Sequence, residues 1–266
     1  MLIIAGSRGM AGAAVLCATG AARSGAGLVK LATVRSQQNV CAKRAPLEVT
    51  SMGLPEDSSG RLSVAAWPVI KRTIQTWRPH VIAFGPGAGV SPGIVRLTGR
   101  LLSMADLRVV LDADGLNALA QLRSRPPAAT MVITPHAGEL ARLLGSTPVK
   151  VNKAREQFAK KAALKFRCVC LLKGSGTLVT DGKAVWKNTT GNPAMASGGM
   201  GDVLTGIVSA LWAQDLGAGL RAAALGAFVH GLAGDVAQND FPERSMLASD
   251  LAKALPAAYK KIWRTL

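Results

Sequence analysis

Apolar positions along this chain fall into two textures, short β-branched runs and longer Ala/Leu-rich stretches, and the two alternate. Residues 2–5 read as a strand, Gly6-Ser7-Arg8-Gly9 as a turn, and 11–24 as an Ala-rich helix. Residues 28–33, 81–84, 109–111 and 131–134 read as further short apolar strands. The last three of these stop at Gly85, Asp112 and Pro135. Helical segments at 94–104 and 116–122 lie between them. Continuous apolar strands separated by helices predict a parallel sheet covered on both faces. After 168–172 the texture changes: 177–180, Asp181-Gly182 and 183–187 read as a hairpin with an Asp-Gly turn. From Val203 on the chain is mostly helical, and Gly53 to Gly60 reads as a surface loop. The expected fold is α/β, one domain over 1–266, with a mostly parallel sheet and the hairpin at one edge. In open sheets of this kind ligands bind beyond the carboxyl ends of the strands, where several of the unusual residues fall.

Composition narrows the class. Of 266 residues 49% are hydrophobic and 18% charged, which excludes disorder as the overall state. No uncharged apolar run reaches the roughly 18 residues of a membrane span. The start has no basic stretch followed by an apolar one, so no secretory signal is read there. Cys17, Cys41, Cys168 and Cys170 form no C-x-x-C pair, and His80, His136 and His230 are scattered. Buried reduced thiols, no metal cluster and a reducing, cytoplasmic compartment are therefore expected. Thirty-two Lys and Arg against 15 acids give a formal charge of +17, which favours anionic partners. A nucleic-acid binder is the reading from another class. Aromatic residues make up only 4% of the chain and do not interleave with basic ones, which argues against it.

Three glycines within four residues, Gly198, Gly199 and Gly201, run directly into an apolar helix at 203–212. Free backbone N–H groups and the helix dipole make such a turn an anion site. No Gly-Lys-Ser/Thr follows, so it is not a P-loop, and it does not follow the first strand as a dinucleotide fingerprint does. Asp202 at the helix start reads either as an N-cap or as a general base beside a bound phosphate.

The Gly-x-Gly-Asp pattern at 199–202 resembles that of ribokinase-like kinases. Within that superfamily the chain resembles the ADP/ATP-dependent NAD(P)H-hydrate dehydratase family over nearly its whole length. The blocks that carry the resemblance occur in order: Gly6-Ser7-Arg8-Gly9-Met10-Ala11-Gly12-Ala13-Ala14 with Arg23-Ser24-Gly25-Ala26-Gly27-Leu28-Val29; Gly85-Pro86-Gly87-Ala88-Gly89; Leu111-Asp112-Ala113-Asp114-Gly115-Leu116-Asn117; Thr134-Pro135-His136-Ala137-Gly138-Glu139; Lys173-Gly174-Ser175-Gly176-Thr177; and 192–206.

The resemblance implies a ribokinase-like three-layer sandwich and a metabolite-repair enzyme. That enzyme would dehydrate the S epimer of hydrated NADH or NADPH at the expense of ADP or ATP, with Mg²⁺. It implies Asp202 as the base, backbone N–H groups of Gly199, Met200 and Gly201 as the anion hole, and no protein metal site. Lys173, Gly174, Ser175, Gly176, Thr177 and Gly201 would meet the nucleotide; Ala13, Gly87, His136 and Asp202 would meet the hydrate. A homo-oligomer, often a tetramer, and a separate epimerase for the R epimer are the implied partners, with neither nucleic acid nor membrane among them. Met200 stands where the family usually has Ser or Thr. The chain starts at the first strand, where family members usually have a short upstream segment and many carry an epimerase domain; no epimerase domain is expected here. A kinase of a small vitamin-precursor alcohol shares Asp202 and the anion loop and is the alternative within the superfamily.

Other residues keep more than one reading. Asp112 and Asp114 end a strand and would touch ligand, or Asp114 would cap the helix near Leu116. His136 is either a pocket residue or part of a structural turn. Glu139 suits a helix start as well as a magnesium shell. His230, amid Ala, Gly and Phe228, reads as a core histidine. Residues 150–167 hold seven Lys or Arg and one acid, Glu156, and read as one amphipathic helix with Phe158, Ala162 and Phe166 on its apolar stripe.

Overall fold

The computed structural model describes residues 1–122, 129–217 and 219–263. Its sheet has strands β1 (Leu2–Ile4), β2 (Val29–Val34), β3 (Val49–Leu54), β4 (Ile82–Phe84), β5 (Arg108–Leu111), β6 (Thr130–Ile133), β7 (Val169–Leu172), β8 (Leu178–Thr180) and β9 (Val185–Lys187), in spatial order β3-β2-β1-β4-β5-β6-β7-β8-β9. Pairing is parallel from β3 through β7. It turns antiparallel for β7–β8 and β8–β9, so the Asp-Gly hairpin forms the edge, as its sequence predicts. The helices are α1 (Ala11–Ala22), α2 (Gln38–Arg44), α3 (Trp67–Trp77), α4 (Pro92–Leu102), α5 (Asp114–Gln121), α6 (Ala137–Leu144), α7 (Pro148–Lys153), α8 (Arg155–Phe166), α9 (Met200–Gln214), α10 (Gly219–Ala237) and α11 (Ala248–Trp263). Among the described residues, no helix is long and apolar enough to cross a membrane.

Strands β1 and β4 are apolar throughout, and β5, β6 and β7 nearly so, because both faces are covered there. Along β5 and β6, Val109, Leu111, Met131 and Ile133 pack under α3–α6 and α8, while Val110 and Val132 face α9 and α10. Ile3 and Leu31 point to the side of α1, and α11 closes over α9 and α10 as an outer element. Helices α1 and α9 meet backbone to backbone. A Cβ on Gly206 would lie 2.0 Å from the Cys17 carbonyl oxygen, and one on Gly20 would lie 2.4 Å from that of Val203. Only glycine permits this approach, and it sets the first two turns of α9 against the second half of α1.

Three expectations need correction. Gly53 and Leu54 belong to edge strand β3, and the loop proper starts at Pro55. There the Asp57 carboxylate accepts the N–H groups of Ser59 and Arg61. The alternation in β3 is weak because an edge strand meets neighbours on one side only. Residues 150–167 do not form one helix: the chain breaks at Ala154 (φ −139°, ψ 50°) into α7 and α8, with Thr147 capping the first. Helix α9 starts at Met200 rather than Val203, with Gly199 (φ 88°) as its N-cap. All four cysteines are buried free thiols.

Candidate active site

The carboxyl ends of five neighbouring strands, β1, β4, β5, β6 and β7, feed the loops 5–10, 85–91, 112–113, 134–136 and 173–177 toward the start of α9. The first two are tied together. The Gly6 N–H donates to the Pro86 carbonyl (2.8 Å), and the Ser7 hydroxyl donates to the Gly87 carbonyl (2.8 Å). A Cβ on Gly87 would lie 2.9 Å from that of Ala13, so these two residues lie against each other. Gly85 (φ 120°) passes so close to β5 that a Cβ would meet the Asp112 carbonyl oxygen at 2.1 Å.

At the end of β5 the backbone bends sharply through Ala113, a non-glycine residue at φ 46°, ψ −114°. A conformation of this kind costs of order 1–3 kcal/mol and persists only where the surroundings hold it. The bend sends two carboxylates in different directions. The Asp114 side chain accepts the Gly89 N–H (2.8 Å) and the Asn117 amide (3.2 Å). It is the first residue of α5 and does not cap it; it ties the 85–89 loop to the helix. Asp112, buried, accepts from the Lys173 ammonium at 2.6 Å and the Thr205 hydroxyl at 2.7 Å. Thr205 was not among the residues singled out by sequence. It lies four positions after Gly201 on the same helix face, and that spacing was the available signal.

Lys173 also lies 3.8 Å from Glu139, which is itself buried. Burial opposes the ammonium charge, but Asp112 and Glu139 outweigh it and hold the Lys173 pKa above its ordinary value. Glu139 accepts the His136 N–H (2.8 Å), while His136 Nδ1 accepts from Gly138 (3.0 Å) and Glu139 (3.4 Å). This is a reciprocal capping box at the start of α6, so the structural-turn reading of His136 takes the concrete form of an N-cap. With Nδ1 accepting, the ring proton is on Nε2, 3.6 Å from Glu139 and on a half-exposed side chain.

Asp202 stands on the third residue of α9 and is not the N-cap; its carboxylate is left to face the acids and Lys173. Burial first, then the charge of Asp112, push its pKa up to about 7, against the opposing pull of Lys173. A carboxyl group poised near neutrality can exchange protons in either direction. Gly199, Met200 and Gly201 form the turn beneath it. A Cβ on Gly201 would sit 3.2 Å from the Lys173 ammonium, which places that glycine against the charged cluster. Met200 is buried, and its carbonyl accepts from His230 Nε2 at 3.0 Å. His230 is the core histidine its sequence context implies, with a pKa pushed down to about 4 by burial. It also anchors the glycine turn from behind. The loop Gly174, Ser175, Gly176 and Thr177 follows Lys173 along the site's rim, with the Thr177 hydroxyl closing the turn onto the Gly174 carbonyl (2.9 Å).

Among the described residues, no group of three His, Cys, Asp or Glu is arranged to hold a metal ion. Asp112 is spent on Lys173 and Thr205, and Glu139 on the His136 cap. These residues fit a magnesium ion that arrives on nucleotide phosphates, not a protein-built cage. A concavity elsewhere, about 390 Å³ between Gly25 to Leu28 and Trp77 to His80, opens at the amino ends of β1 and β4 and is lined by no acid.

The family model for NAD(P)H-hydrate dehydratase matches residues 1–257. The bifunctional NAD(P)H-hydrate repair enzyme of Moorella thermoacetica is 42% identical over 267 residues, covering 98% of this chain and 49% of that protein. The chain spans about half the length of the curated relatives it matches. Among solved structures, the ADP/ATP-dependent NAD(P)H-hydrate dehydratase of Bacillus subtilis, co-crystallised with ATP and Mg²⁺, superposes with a TM-score of 0.81 at 29% identity, covering 98% of this chain and 88% of that one. A ribokinase-like protein of Enterococcus faecalis superposes at 0.82 and 23% identity, over 98% of this chain and 86% of that one, a likeness of fold. Six sequence blocks in order, a mostly parallel sheet with their loops gathered at one end, and a match over 257 residues agree: this chain belongs to the NAD(P)H-hydrate dehydratase family.

Proposed function

We propose that this chain is the catalytic domain that restores NADH and NADPH from their S hydrates at the expense of ADP or ATP. The observation that carries the reading is Asp202: a carboxyl with a pKa near 7, over a glycine turn at a helix start, in a chain of this family. Hydroxide leaves a hydrated nicotinamide ring poorly, whereas phosphate leaves well. Asp202 takes the proton from the ring hydroxyl as its oxygen attacks the terminal phosphorus of the nucleotide, whose bridging P–O bond breaks to leave AMP from ADP. The ring nitrogen lone pair then expels phosphate, and the neighbouring ring carbon gives up a proton to restore the double bond.

Backbone N–H groups of Gly199, Met200 and Gly201 hold the transferring phosphoryl group where charge accumulates. Because these contacts are backbone ones, Met200 serves where a hydroxyl residue is usual. Lys173 adds a fixed positive charge beside them, and residues 173–177 and Gly201 receive the nucleotide. Magnesium, carried by the nucleotide, neutralises phosphate charge. Ala13, Gly87, His136 and Asp202 line the hydrate pocket, and Asp114 holds the loop that carries Gly87. The charge of +17 raises the encounter rate with two polyanionic substrates. A homo-oligomer, a tetramer in the simplest form, and an epimerase activity that supplies the S epimer complete the reading. Four buried free thiols support action in a reducing cytoplasm.

The test is recovery of NADH absorbance from S-NADHX with ADP, with ATP and without nucleotide, for wild type and Asp202→Asn. Nucleotide-dependent recovery that falls by about 10²–10⁴ in the variant is expected. Folded protein that gives no recovery under any condition overturns the reading and redirects the search to small-alcohol phosphorylation.

A further inference from the structure

The break at Ala154 makes Arg155 the first residue of α8 and separates it from Lys150 and Lys153 on α7. Three features together describe its setting. It is half-buried, and burial lowers the pKa of its guanidinium. No carboxylate lies within ion-pairing distance of it among the described residues, although Lys160 on the same helix has Glu156. It stands at the positive end of the helix dipole, where a cation is disfavoured. A basic side chain on a solvated face can lack an ion pair too, but it is not half-buried at a helix start.

Its contacts explain the placement. Nη2 donates to the Leu172 carbonyl (3.1 Å) and the Lys173 carbonyl (3.3 Å), the last residue of β7 and the first of the 173–177 loop. Nη1 lies against Gly174: a Cβ there, at φ 134°, would start 3.0 Å from it. On the other side of the same backbone, the Lys173 N–H donates to the Pro135 carbonyl (2.8 Å) and its ammonium reaches Asp112 (2.6 Å). The peptide units flanking Lys173 are therefore held from both sides, and the guanidinium is the outer hold. Arginine suits this because its planar guanidinium fixes the directions of both Nη2 hydrogens, which a freely rotating lysine ammonium does less well.

We propose that Arg155 is a positioning residue of the nucleotide site, which sets the path of the 173–177 loop, and with it the Lys173 ammonium, for a nucleoside diphosphate. The proposal rests on the dehydratase reading for the identity of the ligand, but the loop-holding part of it does not.

The experiment combines hydrogen exchange of the ligand-free loop with calorimetric binding of ADP and, separately, of NADH as the product-side ligand. The proteins are wild type, Arg155→Met, Arg155→Lys and the charge control Lys161→Met. In Arg155→Met, exchange at 173–177 should speed up by about tenfold and the Kd for ADP rise by about tenfold, the scale of one charge-assisted hydrogen bond. The Kd for NADH should stay within twofold, Arg155→Lys should recover part of the ADP affinity, and Lys161→Met should match wild type. Unchanged loop exchange in Arg155→Met overturns the proposal. So does a parallel loss of ADP and NADH affinity, which marks general destabilisation, or an equal loss in Lys161→Met, which marks bulk charge. Wild-type protein that binds no ADP overturns the dehydratase reading as well, and this is seen before any variant is compared. Should Arg155→Met not fold, Arg155→Lys carries the same comparison.

Discussion

The Lys173 ammonium lies 2.6 Å from the Asp112 carboxylate, joining residues 61 positions apart at the ends of β5 and β7. Neither touches Asp202 through a hydrogen bond, yet both set its proton affinity: Asp112 raises it and Lys173 lowers it. The base is thus tuned by a neighbouring ion pair whose two members pull in opposite directions, with burial the largest influence.

The pH dependence of turnover follows. A general base works deprotonated, so kcat/KM for the hydrate should rise with pH through a midpoint near 7. Asp112→Asn removes a negative neighbour and should move that midpoint down by about one unit. Lys173→Met should move it up. Midpoints that coincide in all three proteins would show that another group controls the limb.

Stability against pH carries a second signature of Asp202. Its folded pKa, about 7, stands above the ordinary carboxyl value, so it favours the folded state fully at low pH, and this is lost as pH rises through 7. Asp202→Asn removes the cost of burying the charge. It should stabilise the protein at pH 8 by about 1–3 kcal/mol in urea unfolding, after allowing for screening, and by less at pH 5.

His230 works in the opposite sense. Its folded pKa of about 4 lies below the ordinary 6.5, so its contribution is complete above pH 6.5 and falls away as pH drops toward 4, by roughly 3 kcal/mol in full. Between pH 4 and 6.5 the Asp202 and His230 slopes nearly cancel. Wild-type stability should therefore be comparatively flat there, as far as these two groups go. Asp202→Asn should gain stability with rising pH across that window, and His230→Gln should lose it. Parallel curves for the two variants would refute the assignment.

The seam between α1 and α9 makes a packing prediction. Gly206→Ala places a methyl group 2.0 Å from the Cys17 carbonyl oxygen and should cost about 2–3 kcal/mol or more. Gly99→Ala, in α4 with only an ordinary 3.5 Å contact to Leu122, should instead stabilise by about 0.5–1 kcal/mol. Thermal melts of both variants check the contrast, and equal shifts would contradict the seam.

Sequence by itself determined the sheet and most of its strands, because apolar runs stopped by Gly, Asp or Pro leave a buried parallel strand few alternatives. It also determined the glycine turn before α9, since the spacing of Gly198, Gly199 and Gly201 ahead of an apolar helix is a local property. Edge strand β3 and the break at Ala154 were less legible: one has neighbours on a single side, and the other interrupts an unbroken run of helix formers. What only the tertiary structure decided is how charged groups meet. Asp112 and Asp114 are two residues apart, yet the bend at Ala113 sends one to Lys173 and Thr205 and the other to Gly89. By its spacing Asp202 reads equally as a cap or as a base. The packing around it displaces the cap to Gly199 and lifts its pKa to about 7. Proton affinity depends on burial and on distances between side chains from different strands, and a linear pattern does not contain those distances.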